Sequence, residues 1–187
     1  SECIVWGKIT GELAAEYAMN NNNGDQWPHH LVAAEEKRIY DGIFRGNGDV
    51  NPYEIRQELT DTLNDKAYVF RNETDLVDGL KKVRELKQKA WKHVDDKAKE
   101  YNTNFANVME LDSMFRVAEV LLVGAINRKE SRGAHSRTDY PKRDDEKFMQ
   151  HTLSWCDGKN SKITYRPVHK STLTNEVQYF PPQERVY

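Results

Sequence analysis

The chain has 187 residues, with 28 Lys and Arg against 30 Asp and Glu, a formal net charge of −2 and an isoelectric point near 6.3. One domain, or one domain with a tail, fits that length. No apolar run approaches the roughly 20 residues of a membrane helix, which excludes a transmembrane protein, and the charge balance argues against a dedicated nucleic-acid binder. Cys3 and Cys156 are too few for a zinc site or a disulfide framework, as in a chain from a reducing compartment or one indifferent to redox state. The chain opens on Ser1-Glu2, without the charged and apolar regions of a secretory signal. A helical pattern that begins at once, with no initiator Met, suggests a segment of a longer protein, although Met removal before Ser would look the same.

In chain order, Trp6, Ile9, Leu13 and Tyr17 recur at helical spacing, which predicts a first helix over residues 2–19. Cys3, Ile4 and Val5 widen its apolar face, so this end is expected to be the more deeply buried. The Asn run at 20–23, with Gly24 and Asp25, stops it. A second helix is predicted over 30–44, ending at Gly46-Asn47-Gly48. A third starts at Asn51-Pro52, with Asn51 as N-cap and Pro52 in the first turn. Its face is Ile55, Leu59, Leu63 and Ala67. Asn72-Glu73-Thr74-Asp75 opens a fourth, with Leu76, Leu80, Val83, Ala90 and Val94 along one side and Lys81, Lys82, Lys87, Lys89 and Lys92 as a solvated surface. A fifth spans 104–129, and its Val108, Leu111, Phe115, Ala118, Leu122 and Ala125 repeat at the 3,4 spacing of a bundle seam.

Past Ser131 the texture becomes irregular. A short helix is expected over 144–150. Residues 152–156 and 162–168 read as two strands, with Asp157-Gly158 supplying the turn. Tyr179-Phe180-Pro181-Pro182 reads as an extended tail. The fold class is therefore mainly α: an up-down-up three-helix bundle, spectrin-repeat-like, with flanking N-terminal helices, a small C-terminal β-hairpin and an extended tail. Residues 1–131 form the helical part and 132–187 the irregular part of one structural domain.

The densest chemistry is residues 128–145, where six Lys or Arg, His135 and four acids fall within 18 positions. Guanidinium forks match carboxylates and phosphates in two-point geometry, so such a segment can clamp an anion. The alternative is structural: arginines that tie a loop to a neighbouring domain through buried ion pairs. His135 is expected to titrate near neutral pH. His29, His30, His93, His151 and His169 have no metal-ligand spacing. Ser-His-Asp order, HExxH, a phosphate loop and GxGxxG are all absent. Glu35-Glu36 and Asp95-Asp96 read as acid pairs on helix surfaces. No catalytic machine is complete in this chain.

The string Arg128-Lys129-Glu130-Ser131-Arg132-Gly133-Ala134-His135-Ser136-Arg137-Thr138-Asp139-Tyr140-Pro141 resembles the C-terminal helical domain of the succinate dehydrogenase/fumarate reductase flavoprotein subunit. Four further stretches agree in order: Glu2-Cys3-Ile4-Val5-Trp6-Gly7-Lys8; Arg143-Asp144-Asp145-Glu146 with His151-Thr152-Leu153; Ile163-Thr164-Tyr165-Arg166-Pro167-Val168; and Phe180-Pro181-Pro182-Gln183-Glu184-Arg185-Val186-Tyr187. L-aspartate oxidase and adenylylsulfate reductase share a related domain, but the stretch from Arg143 to Val168 favours succinate dehydrogenase/fumarate reductase.

The resemblance implies a parent oxidoreductase that interconverts succinate and fumarate at FAD and passes electrons to an iron–sulfur subunit. The family's flavin-linking, substrate-binding and proton-donating residues all precede this region, so none is carried over. The chain alone is expected to hold no FAD and to be inactive. Its implied partners are the FAD-binding domain of the same subunit and the iron–sulfur subunit, on the cytoplasmic or matrix side of a membrane and peripheral to it. The resemblance also sets the N-terminus of the first helix, at Ser1 and Glu2, near the flavin, with Glu2 pointing away. Arg128, Glu130, Arg132, His135, Arg137, Asp139 and Arg143 are expected to dock the bundle on its neighbours. Direct contact of Arg132, His135 or Arg137 with substrate or flavin phosphate is the sharper alternative. A free-standing helical module, half of a split flavoprotein, an L-aspartate oxidase-type domain and an anion- or nucleic-acid-binding domain are the competing readings.

Overall fold

A computed structural model of the protein describes residues 1–21, 28–89, 91–156, 161–172 and 174–183. Asn22 to Asp25, Ala90, the Asp157-Gly158 turn and the end of the tail from Glu184 lie outside the described residues. The chain divides into two compact units, Ser1–Ile39 and Tyr40–Tyr187.

The first unit holds α1 (Glu2–Asn20) and α2 (His29–Ile39). Asn21 ends α1 by returning both its backbone N–H and its side-chain amide to the Tyr17 carbonyl. The helix is where its apolar spacing placed it, and its first turns, expected to be buried against a partner domain, are uncovered within this chain. Ile4 is 79% exposed and Trp6 63% exposed, and no residue of α1 is buried. A 3.6-residue repeat says which side chains need cover and is silent on which surface supplies it.

The second unit opens on a π-helical turn, Tyr40–Phe44, closed by Arg45 N–H donating to Tyr40 O at 2.8 Å. A single α-helix over 30–44 was expected; the wider turn instead brings Ile43 into the core, where it is fully buried. The bundle helices are α3 (Pro52–Lys66), α4 (Glu73–Gln88) and α5 (Thr103–Asn127). Each begins with an Asn whose side chain accepts a backbone N–H of the first turn: Asn51 from Tyr53, Asn72 from Asp75 and Asn102 from Phe105. These contacts satisfy donors that have no intrahelical partner.

Side-chain pairs give the helix directions. Lys66 meets Asp75 and Lys82 meets Glu58, so α3 and α4 are antiparallel. Arg84 and Lys87 meet Glu119 while Gly79 lies beside Leu122, so α4 and α5 are antiparallel. It follows that α3 and α5 run together, and Arg56 reaches from one to Glu110 on the other. This is the up-down-up order, and its core is Ile55, Leu59, Leu76, Val83 and Leu86 with all six predicted seam residues of α5.

Two corrections concern the α4–α5 connection. Helix α4 was expected to continue through Val94 but stops at Gln88, with Lys89 extended. Trp91 and Val94 are buried all the same. The Trp91 ring lies 5.5 Å from that of Phe115, and Gly48 N–H bonds the Lys92 carbonyl at 3.2 Å, which requires extended backbone there. A Cβ on Gly46 would run into that same Lys92 carbonyl. Asp95 and Asp96, expected on a helix, lie in this irregular connection. Their N–H groups bond Asn104 Oδ1.

Two residues before α4, β1 (Phe70–Arg71) pairs in parallel with β2 (Ser136–Arg137). The short helix α6 (Asp145–Phe148) is capped by Asp144, and β3 (Gln150–Cys156) pairs antiparallel with β4 (Ser161–Pro167), matching Ser154 to Ile163. No helix of the described residues is long and apolar enough to cross a membrane.

Candidate functional site

The end of α5 delivers residues 128–145 to the end of the bundle where α3 finishes and α4 begins. Two buried charges organise the segment. Glu130, with a side chain 0% exposed, accepts from Arg128 Nη1 and, at 2.8 Å, from Arg132 Nε through Oε1. Its Oε2 accepts Arg132 Nη2 at 3.0 Å and the Asp144 N–H at 2.8 Å. Burial by itself pushes this carboxyl up; the hydrogen bonds from Arg132, Asp144 and Arg128 outweigh it and hold the group below its usual range. Arg128 also reaches the Phe148 and Gln150 carbonyls and Thr152 Oγ1, which fastens α6 and β3 to the end of α5. Arg132 and Arg143 share Asp145.

The second centre is Arg137, 1% exposed. It forms a two-point pair with Asp139, donates to Glu73 Oε2 at 2.7 Å and to the Ala125 carbonyl at 2.9 Å, and lies over the Tyr140 ring. Asp139 Oδ2 also accepts the Glu73 N–H at 2.9 Å, so one carboxylate neutralises Arg137 and serves the N-terminus of α4. Hydrogen bonds from Arg137 hold Asp139 and Glu73 below their ordinary values.

His135 joins the two centres. A two-residue turn at Gly133-Ala134, with Gly133 at φ +56, folds the chain so that Arg132 and His135 exchange backbone hydrogen bonds. Only glycine adopts that conformation without steric cost. His135 Nε2 lies 2.9 Å from the Arg128 carbonyl, and Nδ1 lies 3.1 Å from Arg71 Nη1. A carbonyl only accepts and a guanidinium only donates, so the ring is neutral with its proton on Nε2. Burial lowers the pKa, the hydrogen bond to the Arg128 carbonyl opposes it, and the charges of Arg71, Arg137 and Arg128 add to the lowering. The titration of His135 expected near neutrality is therefore shifted downward, in favour of the neutral ring.

All seven docking residues named from the sequence therefore fall in one network, but their charged groups face one another. Ion pairs and hydrogen bonds of the network join α4, α5, α6 and β3 of the same unit. Arg137 has all three guanidinium nitrogens bonded within the chain, which leaves it no fork for an external anion. Sequence reasoning missed Arg71, Glu73 and buried Glu119, the last of which pairs with Arg84 and Lys87. Lys87 thus leaves the solvated class in which its spacing had placed it. Glu73 sits in the first turn of α4, where an acid is favoured by the helix dipole; that signal was present and read only as a helix start.

Ser1 precedes α1 without a side-chain cap, and its carbonyl takes the N–H groups of Ile4 and Val5. Glu2 is exposed. Among the described residues no cluster of His, Cys, Asp or Glu is arranged to hold a metal. A groove of about 730 Å³ between α3 and α5 is lined mainly by apolar side chains, among them Leu59, Leu63, Met109, Met114, Val117 and Leu121, with Arg56 and Glu110 at its polar edge.

The second unit is thus a helical bundle closed at one end by an ionic network whose charges are paired within the chain. The family model described as fumarate reductase flavoprotein C-term matches residues 56–187, and the chain belongs to that family. The whole chain is 34% identical to 30% of the mitochondrial succinate dehydrogenase [ubiquinone] flavoprotein subunit of Oryza sativa subsp. japonica. It is also 34% identical, again over its whole length, to 32% of a fumarate reductase flavoprotein subunit of Mycobacterium tuberculosis. A solved chain of Escherichia coli quinol fumarate reductase superposes on 97% of it with a TM-score of 0.82 and 28% identity, covering 32% of that chain. The chain thus spans about a third of the length of the relatives it matches.

Proposed function

We propose that this chain is the C-terminal helical part of a longer FAD-dependent subunit that interconverts succinate and fumarate, and that it supports the reaction without performing it. The observation that carries this reading is the pairing of a family match over residues 56–187, with relatives matched along the whole chain, and a cluster whose arginines are paired inside the chain. A rice succinate dehydrogenase and a mycobacterial fumarate reductase are equally similar to it, so the reaction is written as an interconversion. The flavin and both substrates are held by the preceding part of the subunit, and an iron–sulfur subunit takes the electrons on the cytoplasmic or matrix side of the membrane.

The 128–145 network docks the bundle indirectly, by fixing the shape of the surface the bundle presents. The start of α1 is the part of the chain that approaches the flavin. Free N–H groups at a helix N-terminus favour negative charge, and reduction of a flavin builds such charge. Exposed Glu2 opposes this only if it faces the ring. Glu2→Gln in the complete subunit is expected to leave the flavin potential unmoved, and a large positive shift would place Glu2 against the ring.

An FAD titration of the 187-residue chain, followed by flavin absorbance and fluorescence, tests the division of labour. No binding is expected, with succinate-dependent dye reduction appearing only in the complete subunit. Stoichiometric binding by the chain alone would overturn it.

A further inference from the structure

The ionic network holds one further feature in place. Tyr68, Val69 and Phe70 are 68%, 47% and 76% exposed, the only run of three exposed large apolar side chains among the described residues of the second unit. Their backbone is nonetheless pinned from several sides. Arg71 Nε donates to the Ala67 and Tyr68 carbonyls at 2.9 and 3.0 Å, Phe70 is paired with Ser136, and the Arg71 carbonyl takes the Thr138 N–H at 2.8 Å. The His135 ring holds the other end of the Arg71 guanidinium. Exposed apolar runs are normally avoided, and a rigid aromatic anchor loses little freedom when covered.

We propose that Tyr68-Val69-Phe70 is a preformed docking knob whose occupant is the flavin-bearing part that precedes this region in the longer relatives. This rests on the function proposed above. Two observations select that occupant. The family description makes the chain the C-terminal part of proteins about three times its length, so a joint to the remainder must exist. Three side chains also cover only a fraction of the roughly 800 Å² per partner that a separate stable complex buries. A segment of the same polypeptide needs less, because covalent linkage supplies a high effective concentration. Exposed Gly133 and Ala134 on the neighbouring turn leave room for close backbone approach. The network around Arg137 and His135 is the mount of the knob: its hydrogen bonds hold the backbone from which the three side chains project.

Hydroxyl-radical oxidation of native Tyr68 and Phe70, read by mass spectrometry, tests this in the 187-residue chain and in the complete subunit. Both residues are expected to react about tenfold more slowly in the complete subunit, as solvent-excluded anchors do. Equal rates in a flavin-loaded, active subunit would overturn the knob and leave the proposed function standing. Protection in a subunit that holds no flavin would support the knob and sink the function. Rates that fall with rising concentration of the chain alone would assign the knob to a second copy and overturn the proposal. A Tyr68→Ser, Phe70→Ser double variant should leave the melting temperature of the chain alone unchanged and lower that of the complete subunit; an equal drop in both would show a merely structural role and overturn it.

Discussion

Helix α5 buries Val108, Leu111, Phe115, Ala118, Leu122 and Ala125, whereas the segment that follows it buries Glu130 and Arg137. The seam is held by contact that has no direction, so each side chain adds its share nearly independently. The loop is held by charges whose desolvation is offset only when every partner is present. Adjacent parts of one chain thus fail differently: the seam should weaken by degrees and the loop all at once.

The largest expected effect sharpens that contrast. Glu130→Ala leaves the half-buried Arg128 and Arg132 without their shared carboxylate and should cost about 3 kcal/mol in urea unfolding. A loss below about 1 kcal/mol would mean the network is not cooperative. Leu122→Ala in the seam should cost about 2–5 kcal/mol, and adding it to a distant core truncation such as Ile55→Val should give nearly the sum of the two effects. In the loop, Glu130→Ala combined with Asp145→Ala should depart from additivity, since both carboxylates hold Arg132.

Acid separates the two regions next. His135 has a lowered folded pKa, so its contribution is complete above the ordinary value of 6.5 and is lost as pH falls from there towards the folded value. Glu130, Glu73 and Asp139 are lowered as well, so their contributions persist above the ordinary carboxylate range and are lost below it. Thermal denaturation at stepped pH should therefore show a first decline just below 6.5. His135→Gln, which keeps a donor for the Arg128 carbonyl, should remove that first decline and leave the carboxylate-driven one; an unchanged profile would show that His135 does not report on the loop.

Smaller effects follow at the edges. Asn102→Ala removes the cap of α5 and should cost about 1 kcal/mol. Trp6→Ser, on a helix with no buried residue, should change the stability of the chain alone by less than about 0.5 kcal/mol. A larger loss would mean that α1 has a covering surface within this chain.

Much of the bundle was legible. Asn51-Pro52 and Asn72 marked helix starts because a short polar side chain can take a first-turn N–H, and the α5 repeat named all six seam residues. The end of α4 was not legible: Trp91 and Val94 continue an apolar pattern, and only the extended pairing of 47–48 with 92–93 ends the helix. The π-turn at Tyr40–Phe44 was missed because its spacing differs from an α-helix by one residue in a turn. The seven loop residues were named as a set, but their direction was read outward. Glu73 and Arg71 are the partners that turn Arg137 and His135 inward, and both lie more than 60 residues away in sequence.

What the sequence by itself determined is whatever depends on short spacing and composition: the helical class, the starts of the bundle helices, the seam of α5, the hairpin strands and the family string around Glu130. The tertiary structure alone decided where charge is neutralised. A carboxylate and a guanidinium attract at any sequence separation, and burial settles which pair forms and which proton state survives. Glu130 stays ionised, His135 stays neutral and Arg137 is closed to outside anions for that reason.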